Sequence, residues 1–285
     1  MDSDAVRAMF DAQMRRGVRE GPGVRVEHDP YGVVRQIGTD GGWSGVIWSG
    51  LDADTADAAI AAQVRYFTEA ARTGAAPSEF EWKVYSHDAP ADLGQRLLAA
   101  GFTPEPEETL LVAPVRELPS AVGLPDGVRL RPVTDEAGVE LMAAVHDRAF
   151  GAGRLRLRTE LLAQLAAAPD TLAAVVAMAG DVPVCAARMD LLPGTEFAGL
   201  WGGGTVPEWR GRGIYKALIA YRARIAAERG YRYLQVDASS QSSPILRRLG
   251  FVALSTTTPY VYVVPAPDAR TPEARAPEGG GGGRA

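Results

Sequence analysis

The stretch from 196 to 238, EFAGLWGGGTVPEWRGRGIYKALIAYRARIAAERGYRYLQVDA, constrains this chain more than any other. It opens with an apolar strand and passes through a loop dense in glycine and arginine. A helix follows whose apolar residues Ile214, Leu218, Tyr221 and Ile225 recur on one side, and then a second strand. Strand, helix, strand in this order predicts a right-handed crossover onto an open sheet. The glycines fall where the first strand ends and the helix begins, and both places carry chemical meaning.

At the helix start, backbone N–H groups lack intrahelical partners and the positive end of the helix dipole is exposed. Gly211 and Gly213 let a ligand approach the main chain, and Arg210 and Arg212 add positive charge. Such a loop suits phosphate or pyrophosphate. A basic, mobile loop is the plainer reading of these four residues alone. A Walker loop would need Gly-Lys-Ser/Thr, and a dinucleotide fold three spaced glycines; neither pattern is present. Upstream, Gly202-Gly203-Gly204 interrupts the strand, as a bulge or a close backbone approach would. A bulge would part this strand from the next and free backbone groups for an extended ligand. Pyrophosphate at the helix with an amide-bearing arm along the strand describes coenzyme A.

The rest of the chain reads as two passes of one pattern. Residues 3–18 form a helix with Asp4 as its cap, followed by strands at 24–28, 32–38 and 43–49. A helix from Thr55 to Arg72, a strand at 79–87, a helix at 90–102 and a strand at 108–115 complete the first pass. The segment 116–127, RELPSAVGLPDG, is a linker by its proline, glycine and serine content. From Val128 come a strand, a helix capped by Thr134, a second helix at 158–168 and two strands turning at Gly180-Asp181. The 196–238 unit follows, then a short helix ending at Gly250 and a last strand, TTPYVYVVP. Both passes close alike: Leu97 and Leu246 each stand four residues before a Gly-Phe pair, at 101–102 and 250–251. An internal duplication accounts for this. Where the second pass has PEWRGRGIY, the first has LDADTADAA, which offers acids and no basic loop.

With these motifs in order, the second pass resembles the GNAT superfamily of N-acetyltransferases. RGRGIY is similar to the family's signature from Arg210 to Gly213, PEWRGRG to a run common there, and PILRRLGF to its last motif. The resemblance covers about 128–262. It implies an α/β (α+β, mixed-sheet) fold in two tandem copies, a degenerate one at 1–115 and the acetyltransferase domain at 128–264, on either side of the 116–127 linker; residues 265–285, rich in Pro, Ala, Gly and charge with no large apolar residue, read as a disordered tail. It implies that acetyl-CoA binds with its pyrophosphate on Arg210, Gly211, Arg212, Gly213, Ile214 and Tyr215 and its pantetheine arm along Thr205 and Val206. The acceptor, a small-molecule amine or a peptide, would attack the thioester directly.

Three positions depart from the family. Tyr215 replaces the signature's final small residue. Leu246 stands where many relatives have a tyrosine that protonates the departing thiolate, and Ser239 replaces a frequent asparagine. The proton work then falls to Glu196, Asp237 or Tyr260, each with a structural alternative: a solvated strand end for the acids, core packing for the tyrosine. A non-catalytic acyl-CoA-binding or scaffold protein is the competing reading, prompted by Leu246. Aminoacyl transfer from tRNA, as in some tandem relatives, is disfavoured by the intact loop and the charge.

Of 285 residues, 46% are hydrophobic and 23% charged, with a net charge of −5, as in an ordinary globular protein and unlike one that grips nucleic acid. Cys185 is the one cysteine, so no internal disulfide forms. The histidines show no metal spacing, so no metal is expected. The N-terminal residues carry acids and lack the apolar run of a signal peptide, and no stretch reads as a membrane span. These features point to a cytoplasmic protein, with a homodimer as one possible state.

Overall fold

The computed structural model describes residues 1–265 except 22, 40, 41, 152 and 153; the expected tail at 266–285 lies outside the described residues. The chain begins with α1 (Ser3–Phe10), which continues as a π-helical turn over Asp11–Arg16. Then come β1 (Val24–His28), β2 (Val33–Gly38), β3 (Gly45–Ser49), α2 (Ala56–Arg72), β4 (Glu79–Tyr85), α3 (Leu93–Ala99), β5 (Thr103–Pro104) and β6 (Glu108–Pro114). The second half supplies β7 (Val128–Val133), α4 (Glu136–Phe150), α5 (Arg154–Ala167), β8 (Leu172–Ala179), β9 (Val182–Leu191) and β10 (Phe197–Thr205). It ends with α6 (Ile214–Glu228), β11 (Tyr233–Ala238), α7 (Ser243–Arg248) and β12 (Val252–Val263). The first and fourth helices are capped by residues other than those expected. Asp2 accepts from the N–H groups of Asp4 and Ala5, and Asp135 accepts from Gly138, because each carboxylate stands one turn below the N–H it reaches.

All described strands join one mixed sheet in the order β1-β2-β3-β4-β12-β6-β11-β10-β9-β8-β7, with β5 against β12. Among the described residues, β3–β4 and β10–β11 are the parallel pairs. Each pair closes a strand–helix–strand crossover, through α2 and α6 respectively, the second of them expected from the 196–238 segment. Beside each parallel pair lies the last strand of the opposite half. The strand β12 pairs antiparallel with β4, and β6 pairs antiparallel with β11. The two exchanged strands also pair with each other. Residues 108–114 therefore belong in space to the sheet of the second half, although they precede the 116–127 segment in sequence.

Alternation along the central strands sends side chains to two faces. On one face, Leu111, Ala113, Ala198, Leu200 and Leu234 pack against Ile219, Ala223 and Ala226 of α6 and against Leu246 and Phe251. On the other, Leu110, Val112, Phe197, Tyr233 and Tyr85 pack against Val6 and Phe10 of α1. A separate cluster, with Phe67 stacked on Phe80 at 4.0 Å, forms the core of the first half.

Candidate functional site

The β10–β11 pairing lasts only from Phe197↔Tyr233 to Gly199↔Gln235. Beyond it, β10 carries a bulge against β9 between Trp201 and Gly204, where Gly202 takes φ +57°. The bulge turns β10 away while β11 runs on to Ala238, still paired to β6. One edge of β11 from Val236 onward thus faces a gap. The glycines here are required sterically. A Cβ on Gly203 would lie 2.8 Å from the Tyr215 ring, and one on Gly204 would lie 2.7 Å from the Phe150 ring.

From Thr205 the chain turns through a short 3-10 helix, Pro207–Trp209, into the arginine–glycine loop. Gly211 (φ +76°) and Gly213 (φ +80°) both sit in the left-handed region, with open space where a Cβ would be. Gly213 is the N-cap of α6 and brings no capping side chain, so the first-turn N–H groups are left for an outside acceptor.

The two arginines, alike in sequence, take different roles. Arg210 stays exposed but folds back on the chain: its Nε donates to the Thr205 carbonyl at 3.1 Å and its Nη2 to the Ala149 carbonyl at 3.4 Å, which ties the loop to β10 and α4. Arg212 stacks over the Trp209 ring at 4.5 Å and lines an open cleft of about 290 Å³. Thr205, Gly211, Gly213, Ile214 and Tyr215 line it too, joined by Lys216 and Arg248. The structure thus gathers the loop residues at one cleft and adds two cations that sequence reasoning missed. Lys216 follows the loop directly, and Arg248 stands in the RRLGF run, but only the packing of α7 beside α6 shows that it points here. Val206 is fully buried, with its N–H bonded to the Val184 carbonyl, beside the cleft rather than in it.

The three candidates for proton transfer are not brought together. Glu196 lies at the far end of β10 from the bulge, ion-paired with Arg232 at 2.5 Å. Tyr260 packs with the first-half core, its hydroxyl against the backbone of Gly94 on α3. Asp237 alone stands on the part of β11 beyond the end of its pairing with β10. By alternation it shares a face with Phe197, Gly199 and Trp201, the face turned away from α6. Its Oδ2 pairs with Lys83 Nζ at 2.7 Å and accepts from the Tyr85 hydroxyl at 3.3 Å. Leu246 is fully buried in the apolar cluster with Ile219, Ala223 and Phe251 and offers no proton donor. Burial pushes the Tyr215 hydroxyl above its ordinary value, so it stays protonated beside Gly203.

The first half carries the same departure of strands. The β3–β4 pairing ends at Val46↔Trp82, and β3 bulges at Ile47. Here Arg15, only 2% exposed, fills the place: its Nε donates to the Ile47 carbonyl at 2.9 Å, and its guanidinium lies 4.1 Å from the Tyr85 ring centre. Asp88 and Asp11 hold it at 2.7 and 2.9 Å. The start of α2 has acids nearby, Asp52, Asp54 and Asp57, and no cation loop.

Among the described residues there is no group of His, Cys, Asp and Glu able to hold a metal, and no helix long and apolar enough to cross a membrane.

Residues 138–251 match the family model described as "Acetyltransferase (GNAT) family". No curated protein matches the chain by sequence. Among solved structures, the chain is similar to a GCN5-related N-acetyltransferase from Kribbella flavida, with a TM-score of 0.65, 18% identity and coverage of 90% of this chain and 95% of that one. It is also similar to a GCN5-related N-acetyltransferase from Sphaerobacter thermophilus (TM-score 0.58, 17% identity, 93% and 87% covered). A third, a tandem GNAT protein from the clavulanic acid biosynthesis pathway, has TM-score 0.58 and 12% identity, with 91% and 88% covered. At such identities the likeness is one of fold.

Proposed function

We propose that the chain is an acyl-CoA-dependent N-acyltransferase, with acetyl-CoA as donor and an amine as acceptor, a reading that starts from the match of residues 138–251 to the GNAT acetyltransferase family. The family uses acetyl-CoA and acts on small-molecule or peptide acceptors. The single observation that carries the reading is the continuity of cleft and gap. Arg212, Lys216 and Arg248 surround the uncapped start of α6, and the bulged edge of β10 leads from there to the open edge of β11. The cations and first-turn N–H groups suit a pyrophosphate. The parted strands suit an extended amide arm. The acyl carbonyl would then lie in the gap, near Asp237 and Trp201. We assign Asp237 the role of meeting the acceptor; Glu196 and Tyr260 stand too far from the gap to share it. Residues 1–115 are, in this reading, a degenerate copy of the same fold, with Arg15 standing where a cofactor arm would lie.

The burial of Leu246 favours one alternative, a protein that binds acyl-CoA without turning it over. Thiol release from acetyl-CoA over a broad panel of amines separates the two. The acyltransferase reading expects release that depends on the amine; CoA binding with no release from any amine leaves the binding protein.

A further inference from the structure

On the face turned away from α6, five polar side chains from both halves converge. Lys83, Glu81 and Tyr85 come from β4, Glu108 from the exchanged strand β6, and Asp237 from β11. Lys83 Nζ lies 2.7 Å from Asp237 and 3.9 Å from Glu108, while Glu81 accepts at 2.9 Å from the Trp43 indole N–H. Three carboxylates thus surround one ammonium. Taking charge out of water is costly unless each group is paired, and one lysine does not pair three. The imbalance has a specific location. Asp237 is 6% exposed, and its Oδ1 is buried with no hydrogen-bond partner among the described residues. This lone acceptor sits on the strand that borders the gap, while Glu108, at 31% exposed, opens toward solvent. A second cation, entering from outside, is what the cluster lacks.

We infer that this cluster is the acceptor subsite of the transfer reaction, built by both halves of the chain, and that it takes a primary ammonium. The inference rests on the acyltransferase reading above. The ammonium donates to Asp237 Oδ1 and gives one proton to Glu108. The freed amine nitrogen attacks the thioester carbonyl; the C–N bond forms and the C–S bond breaks. The second nitrogen proton goes to the departing thiolate, and Glu108 releases its own to solvent. One ammonium and one acyl-CoA give one amide, one CoA thiol and one proton. Lys83 is a positioning residue: its ammonium, 2.7 Å from Oδ2, holds the Asp237 side chain in place. Glu108 suits the proton step because burial lifts its carboxyl to about 7, with Lys83 opposing and Asp237, Glu81 and Glu105 adding to the rise.

The test is calorimetry on the full chain saturated with CoA, titrated with n-butylammonium, spermidine and Nα-acetyl-lysine amide, with n-butanol as the uncharged control. At least one ammonium should bind and the alcohol should not. Binding should strengthen as pH rises through about 7, where Glu108 loses its proton while the ammonium keeps its own. Glu108→Gln and Asp237→Asn should each weaken it at least tenfold, and Glu108→Gln should flatten the pH profile, with CoA affinity unchanged in both. No ammonium binding, or equal binding by the variants, overturns the subsite and leaves the CoA site standing. Failure of CoA itself to bind the unmodified chain overturns the acyltransferase reading and the subsite with it.

Discussion

Single residues carry much of the account. Gly203 has its place because the Tyr215 ring occupies the space a side chain would need. Gly203→Ala should therefore cost about 1–3 kcal/mol through overpacking. The double variant Gly203→Ala/Tyr215→Ala should be more stable than the sum of the two singles, a coupling that urea denaturation of all four proteins reads out. Cys185 makes a contrasting case. Burial pushes its thiol up to about 11, and its sulfur sits 3.1 Å from the Thr205 hydroxyl. It should resist alkylation at pH 8 in the native protein and react only on unfolding, as timed thiol labelling would show. At this scale the loop glycines and Arg212 were legible because their chemistry is local: unpaired N–H groups, positive φ and charge all lie within six residues. The identical-looking Arg210 was not, since its bracing role depends on the Ala149 carbonyl at the end of α4, 61 positions away in the chain. A still longer separation in the chain hid the pairing of Lys83 with Asp237, which joins strands from opposite halves.

Elements show where periodicity succeeds and where it stops. The strand–helix–strand unit at 196–238 was legible because its apolar spacing and glycine breaks agree. The N-terminal helix at 3–18 was read as one helix, yet its last turn, Asp11–Arg16, widens to a π-helical one and places Arg15 in the first-half strand gap. No spacing rule reports that arginine, which is explained only by the bulged carbonyl it meets and by Asp88, 2% exposed, that balances it. Arg15→Leu should leave that carboxylate buried without its partner and cost about 3–5 kcal/mol. Chemical denaturation would measure the loss; a change below about 1 kcal/mol would show that the arginine braces nothing.

For the whole molecule, the exchanged strands decide how the halves depend on each other. A fragment from 116 to 285 lacks β6, the partner of both β11 and β12, and leaves their edges and the apolar residues around Leu111 uncovered. It should fail to unfold cooperatively, or should aggregate, whereas mixing it with 1–115 should restore a cooperative transition. The linker composition at 116–127 could be read from sequence, but the crossing of 108–114 into the other half could not, because strand partners are chosen by the whole sheet. Stability should also follow Glu108. Its carboxyl is raised in the folded state from an ordinary value of 4.5 to about 7, so the folded chain binds this proton more tightly than the unfolded one. That contribution is complete at low pH and is lost as pH rises through about 7. Glu108→Gln should accordingly melt close to the parent at pH 5 and above it at pH 8.

In the proposed function the mouth of α6 seats the pyrophosphate of coenzyme A. Titration of CoA into the full chain and into Arg212→Glu, followed by calorimetry at fixed ionic strength, tests it directly. Charge-assisted hydrogen bonds of about 1.5–3 kcal/mol are at stake, so saturable binding to the parent should weaken roughly tenfold to a hundredfold in the variant. Equal affinity in the two proteins, or no binding to either, would contradict the account.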